Sequence, residues 1–378
     1  MKRQLKQVRP PVNAKAPQAK NVKKTVKKRS KKSLFSLPKH AGKELTKQQK
    51  AGVLAFFALF VAALVLLLCL LPRAHSFAPW GGSMQAKTED GRVLSASPSA
   101  SVALADGSFL VCDSALHVIW RVSDEGAEIV AGKVGRADAN GIVQGAYADG
   151  AALEARFDTP TAILAYGNEG GYLISDGYNR VIRYLDLNAG TVITFAGNGK
   201  SAPADGTLEN ASFAFPAGMC TDDAGNIYVA DTLGHSVRKI DSSGYVSTFL
   251  GKGQGNVDGS FDVASLSYPT DVAYLDGEFF IADRGNAALR VVRAGELFTA
   301  FGKADMKSTH FSPEDLTVSD GVLYVTDSAN GAVFTYQNGA FSRLISVADG
   351  ALCTSCSVKG TRIYATFAAC DRLKEAAL

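Results

Sequence analysis

Five aspartates end short apolar runs and recur at intervals near fifty residues: Asp113, Asp176, Asp231, Asp283 and Asp327. A carboxylate so placed can hold a metal, move a proton, or accept N–H groups from its own turn. Catalysis or metal binding needs one or two such groups, whereas architecture needs one per repeat. The recurrence therefore assigns all five to turns. His117 and His235 each follow one of these aspartates by four residues, and His310 is the only other histidine of the repeat region. Metal ligation requires groups converging on one point, and equivalent positions in separate repeats stand apart. Both are read as structural.

The residues that break the repeat carry more promise. Asp271 and Asp315 stand where other copies have Ala100, Ala162 and Gly218, and Glu314 precedes Asp315. Acids at the entry of successive strands can bind a cation or a polar ligand, and equally can be solvated loop carboxylates. Asp149, Asp205 and Asp258 open Asp-Gly turns; they lack the Asp-x-Asp spacing and bidentate Glu of a Ca2+ loop. Ca2+ is thus the one cofactor left open, and none is otherwise expected. Cys353, Cys356 and Cys370 cluster near the C-terminus, where a bridge from Cys370 back to the other two is plausible. Three thiols without a nearby His do not make a zinc site. No nucleophile elbow, phosphate loop or triad is found.

The elements that must position these residues are repeats. Each copy opens on a proline 14 to 16 residues before its aspartate: Pro98, Pro160, Pro216, Pro269 and Pro313. Four short alternating segments follow, separated by turn residues, which is one antiparallel blade per copy. In the third copy they are 218–221, 227–230, 237–240 and 245–250. The motifs Pro216-x-Gly-Met-Cys220, Gly225-Asn-Ile-Tyr-Val-Ala-Asp231, His235-Ser-Val-Arg-Lys-Ile240 and Gly244-x-Val-x-Thr-Phe-x-Gly251 resemble the NHL-repeat family of β-propellers. The spacing from Asp149 to Pro160, Asp205 to Pro216 and Asp258 to Pro269 looks like the long connecting loops of bacterial and plant NHL proteins.

The resemblance covers residues 90–378 and implies an all-β, six-bladed propeller. A sixth copy aligns Phe367 with the repeated aspartate and ends too early for a fourth strand. Gly91 to Ala96 matches that missing strand and is expected to close the ring. Enzymes resembling this family, such as the peptide-amidating lyase, place zinc on a histidine set in the channel. No such set is visible here.

Charge divides the chain. Residues 1–50 carry 17 Lys and Arg against the single acid Glu44, while the remainder holds 23 basic and 35 acidic groups. The first segment reads as a disordered basic tail. Residues 51–71 follow without a charge; as a helix they span about 31 Å, enough for a bilayer core of about 30 Å. The basic excess before this segment predicts a single-pass anchor with its N-terminus in the cytoplasm and residues 88–378 outside, joined by a linker over 72–87. No aromatic residue interleaves with the lysines between Lys20 and Lys32. Contact with anionic lipid is therefore expected and nucleic acid is not.

The functional expectation is a membrane-anchored extracytoplasmic module that binds a protein, peptide or glycan. The rival is a metal-assisted hydrolase or lyase, lactonase-like or amidating-lyase-like, with its site in the channel. Either function is sought where the copies disagree: Asp271, Glu314, Asp315, the 132–157 loop and Phe367.

Overall fold

The computed structural model describes residues 78–378, apart from 168, 303–304, 306–310, 347–351, 369 and 371. The expected basic tail, the apolar 51–71 segment, the start of the linker and His310 lie outside the described residues. Among the described residues no helix is long and apolar enough to cross a membrane.

Strands dominate because the repeat supplies β-branched and aromatic residues in short runs bounded by Gly, Asp and Asn. Blade 3 shows the plan: Pro216–Thr221, Ile227–Asp231, Ser236–Ile240 and Tyr245–Leu250 pair in order, each antiparallel to the last. Six such sheets form, with inner strands Pro98–Ala103, Pro160–Ala165, Pro216–Thr221, Pro269–Leu275, Pro313–Ser319 and Cys353–Lys359. Each inner strand packs against the inner strands of both neighbouring blades, so the ring is closed. The all-β six-bladed propeller is present.

Second strands are buried on both faces, as Phe109–Asp113 and Ile227–Asp231 are throughout. The reason is that a blade's middle is sandwiched between two neighbours. The core is accordingly divided among the junctions between blades: Leu110 and Ile119 of blade 1 meet Tyr172 and Ile174 of blade 2, and Tyr364 of blade 6 meets Phe109 and Val118 of blade 1.

The ring closes with a different segment from the one expected. Ala78–Trp80 pairs with Leu373–Ala377 and completes blade 6, so the stretch read as linker supplies the closing strand. Val93–Ser95, within the expected closing segment, instead forms a hairpin with Gln85–Lys87. Burial decides the outcome. The Trp80 ring stands edge-on to Phe109 at 5.3 Å and to Tyr364 at 5.0 Å, bridging blades 1 and 6, whereas Val93 is 66% exposed. Gly82 then fits only because it lacks a Cβ, which would fall 2.3 Å from the Gly126 backbone.

Candidate functional site

The repeated aspartates are structural, and the structure shows what they hold. Each accepts the N–H of a residue just before an inner strand: Ser97 to Asp113 (3.1 Å), Asp158 to Asp176 (2.7 Å), Ala214 to Asp231 (2.9 Å), Ser267 to Asp283 (2.7 Å) and Ser312 to Asp327 (3.1 Å). Each carboxylate thereby fixes where its own blade starts. Burial raises the Asp176 pKa to about 6, and shifts those of Asp113, Asp231 and Asp283 the same way.

In blades 2, 3 and 4 a fully buried arginine joins them. Arg183 donates to Asp176 at 2.9 Å and to Asp149 at 2.5 Å. Arg238 donates to Asp205 at 2.8 Å with Asp231 3.8 Å away, and Arg290 joins Asp283 to Asp258. The three Asp-Gly carboxylates are thus committed to guanidinium groups. The histidines are inter-blade latches: Thr159 N–H donates to His117 Nδ1 at 2.9 Å, and Tyr268 N–H to His235 Nδ1 at 3.1 Å.

A β-bulge follows the entry residue of every inner strand; after Pro98 the pairing skips Ser99, and after Pro160 it skips Thr161. A bulge leaves one residue out of the ladder and re-aims its side chain. The skipped hydroxyls turn to the next blade: Ser99 donates to the Pro160 carbonyl (2.7 Å), Thr161 to Pro216 (3.1 Å), Thr270 to Pro313 (3.2 Å) and Thr354 to Pro98 (2.9 Å). Blade 3 has Ala217 at this place, and Thr232 supplies the bond to Pro269 from the following turn (2.8 Å). Blade 5 has Glu314. Three of these hydroxyls are visible in the sequence as Pro-Ser and Pro-Thr pairs, with Thr354 following Cys353 instead, yet the meaning of the belt depends on knowing that a neighbouring carbonyl lies there.

Inside this belt is a central cavity of about 770 Å³, lined by Ala100, Ala162, Gly218, Thr317 and Ser357 together with Asp271, Glu314 and Asp315. The three predicted acids do come together. Asp271 is 6% exposed and accepts the Leu316 N–H of blade 5 at 2.7 Å, while Asp315 accepts the Cys356 N–H of blade 6 at 3.2 Å. Glu314 turns outward to Arg284, at 3.2 Å, and accepts the Ser328 hydroxyl at the same distance.

Burial raises the pKa of Asp315 to about 7. Burial first, then repulsion from Asp315, pushes Asp271 well above the ordinary range. Gly218 and Arg284 complete the site and were not singled out from sequence. A Cβ on Gly218 would lie 1.7 Å from Asp271 Oδ1, so the glycine makes room for the carboxylate.

Among the described residues no group of three His, Cys, Asp or Glu side chains is arranged to hold a metal. Phe367 is buried beneath Lys374, whose Nζ lies 4.6 Å from the ring centre. Cys353 and Cys356 are buried and Cys370 half-buried, all as free thiols, and burial pushes the first two thiols well above the ordinary pKa range.

A family model described as the NHL repeat matches residues 213–240. The chain is 28% identical over 171 residues to Protein SUPPRESSOR OF QUENCHING 1, chloroplastic, of Arabidopsis thaliana, which covers 44% of this chain and 15% of that protein. It is 30% identical over 95 residues to NHL repeat-containing protein 2 of Gallus gallus, covering 25% of this chain and 13% of that protein. This chain therefore spans a small part of the length of either relative. Among solved structures, a candidate gluconolactonase superposes with a TM-score of 0.53 at 12% identity, covering 82% of this chain and 94% of the other; that likeness is one of fold. The matched repeat, the relatives and the six-bladed ring together support an NHL-repeat propeller.

Proposed function

We propose that this chain is a membrane-anchored, extracytoplasmic propeller that binds a protein, peptide or glycan partner at the mouth of its central cavity. One observation carries the reading: a cavity of about 770 Å³ whose wall mixes small and hydroxyl side chains with apolar ones such as Ile163, Leu164, Phe215 and Met219, and whose charged lining is Asp271, Glu314, Asp315 and Arg284. Its volume is that of ordinary ligand sites, and a rigid wall with a few convergent polar groups is how such sites orient what they hold. The anchor and the outward placement rest on the uncharged 51–71 segment and the basic residues before it, which also favour contact with anionic lipid.

The test uses full-length protein in neutral-lipid nanodiscs, presented to peptide and glycan arrays. Binding of at least one class, weakened about tenfold by Asp315→Asn, is expected; tenfold corresponds to about 1.4 kcal/mol. Silence on every array would overturn the reading. Protease added to intact cells should remove the propeller, and a protected propeller would overturn the topology.

A second reading, a propeller hydrolase or lyase, draws on the same acids. A carboxyl held protonated near neutral pH can serve as a general acid. Turnover of a lactone that Asp315→Asn abolishes would favour it.

A further inference from the structure

The central cavity does not end at its mouth. A second cavity of about 530 Å³ opens over the junction of blades 1 and 2, lined by Leu94, Ile142, Gln144, Asp158 and Tyr178 among others. Ser114 and Thr159 line both cavities. An aromatic pair spans them as well: Phe215, in the wall of the first, stands edge-on at 5.1 Å to Tyr178, in the wall of the second. Gly177 leaves space for this pair, since a Cβ there would meet the Phe215 ring at 2.7 Å. Residues 141–145, from the long 132–157 loop, form part of the wall of the second cavity. The two hollows adjoin at Ser114 and Thr159, so that together they make a groove from the channel across the rim.

Its charge is one-sided. Among the described residues lining the groove, Asp158, Asp271, Glu314 and Asp315 face a single cation, Arg284, which is already paired with Glu314. His117 lies 3.9 Å from Asp158, but its Nδ1 accepts the Thr159 N–H and so carries no proton toward that carboxylate. The Ser355 hydroxyl, in a residue 1% exposed, lies against Asp315 and has no other partner. Ile142 and Tyr178, 60% and 55% exposed, give the outer hollow an apolar edge. Unmatched carboxylates in a concave, partly apolar site attract cations of matching shape.

The geometry points to an extended basic peptide as the occupant, with one Lys or Arg side chain entering between Asp271 and Asp315 and a second basic residue reaching Asp158 beside the Tyr178 ring. This rests on the central cavity being a binding site and adds the ligand's class and the second subsite. A cation entering between Asp271 and Asp315 favours their ionised forms over the protonated ones that burial holds, and the exposed Tyr178 ring gives the ligand's second cation an aromatic surface to lie against.

The test is fluorescence anisotropy on the full-length protein in phosphatidylcholine nanodiscs. The probe is a labelled, end-capped hexapeptide with two lysines; a version with two glutamates and a chitohexaose competitor accompany it. The lysine peptide is expected to bind and the glutamate peptide not. Asp315→Asn should weaken binding about tenfold, and Asp158→Asn and Tyr178→Ala about threefold to fivefold each, with the exposed Asp262→Asn unchanged. Loss at Asp315→Asn with none at Asp158→Asn or Tyr178→Ala would overturn the groove and leave the central site standing. Binding of chitohexaose but not of the lysine peptide would overturn the basic-peptide assignment alone. Failure of every probe, with silent arrays, would sink both readings.

Discussion

Asp315 is held by the Cys356 N–H and surrounded by protein, and its pKa is lifted from 3.8 to about 7. Asp271, Glu314, Cys353 and Cys356 lie close enough to act on its charge, with Arg284 the cation beyond Glu314. Below a pH of about 4 both folded and unfolded chains hold the Asp315 proton. Between about 4 and 7 only the folded chain does, so this residue's contribution to stability falls as pH rises through that window. Asp315→Asn removes the titration. Compared with the native protein, it should melt on the order of 2–4 °C higher at about pH 8 and gain nothing at about pH 3.5. An equal offset at both values, read by differential scanning calorimetry, would contradict the assignment. The acids themselves were legible as departures from the repeat. Their partners were not, because the Leu316 and Cys356 N–H groups belong to other blades, 45 and 41 residues away in the chain.

At the scale of the blade, the Asp–Arg–Asp clamp is what the Asp-Gly motif is for. Arg183, Arg238 and Arg290 sit seven residues after their aspartates, and their blades are the ones with an Asp-Gly edge strand: Gly150–Ala151, Gly206–Thr207 and Gly259–Ser260. Blades 1 and 5 place Trp120 and Phe334 in the same register and, among the described residues, have no such edge strand. Removing one member of a buried ion pair strands the other without water. Arg290→Met should therefore cost about 3–5 kcal/mol in urea unfolding, with partial recovery when Asp283→Asn is added. A cost under about 1 kcal/mol would show that the clamp is dispensable. The motif was readable in the sequence. The arginine partner was not, since Arg290 and Asp258 are 32 residues apart.

For the molecule as a whole, ring closure depends on three residues, Ala78–Trp80, that join the first described stretch of chain to the last. Trp80→Ala removes the wedge between Phe109 and Tyr364 and should cost on the order of 2–4 kcal/mol. Limited proteolysis of the full-length variant should release blade 6 first; unchanged cleavage would mean that closure does not rest on Trp80. The sequence by itself determined the repeat, its strands and the number of blades, because alternation, turn residues and a recurring proline act over a few residues and recur. It also marked Asp271, Glu314 and Asp315 as the residues that depart from the pattern. Only the tertiary structure decided which segment closes the ring, which arginine meets which carboxylate, and that two hollows share Ser114 and Thr159. Those outcomes depend on burial and hydrogen bonding between residues tens to hundreds of positions apart, where local pattern carries no register.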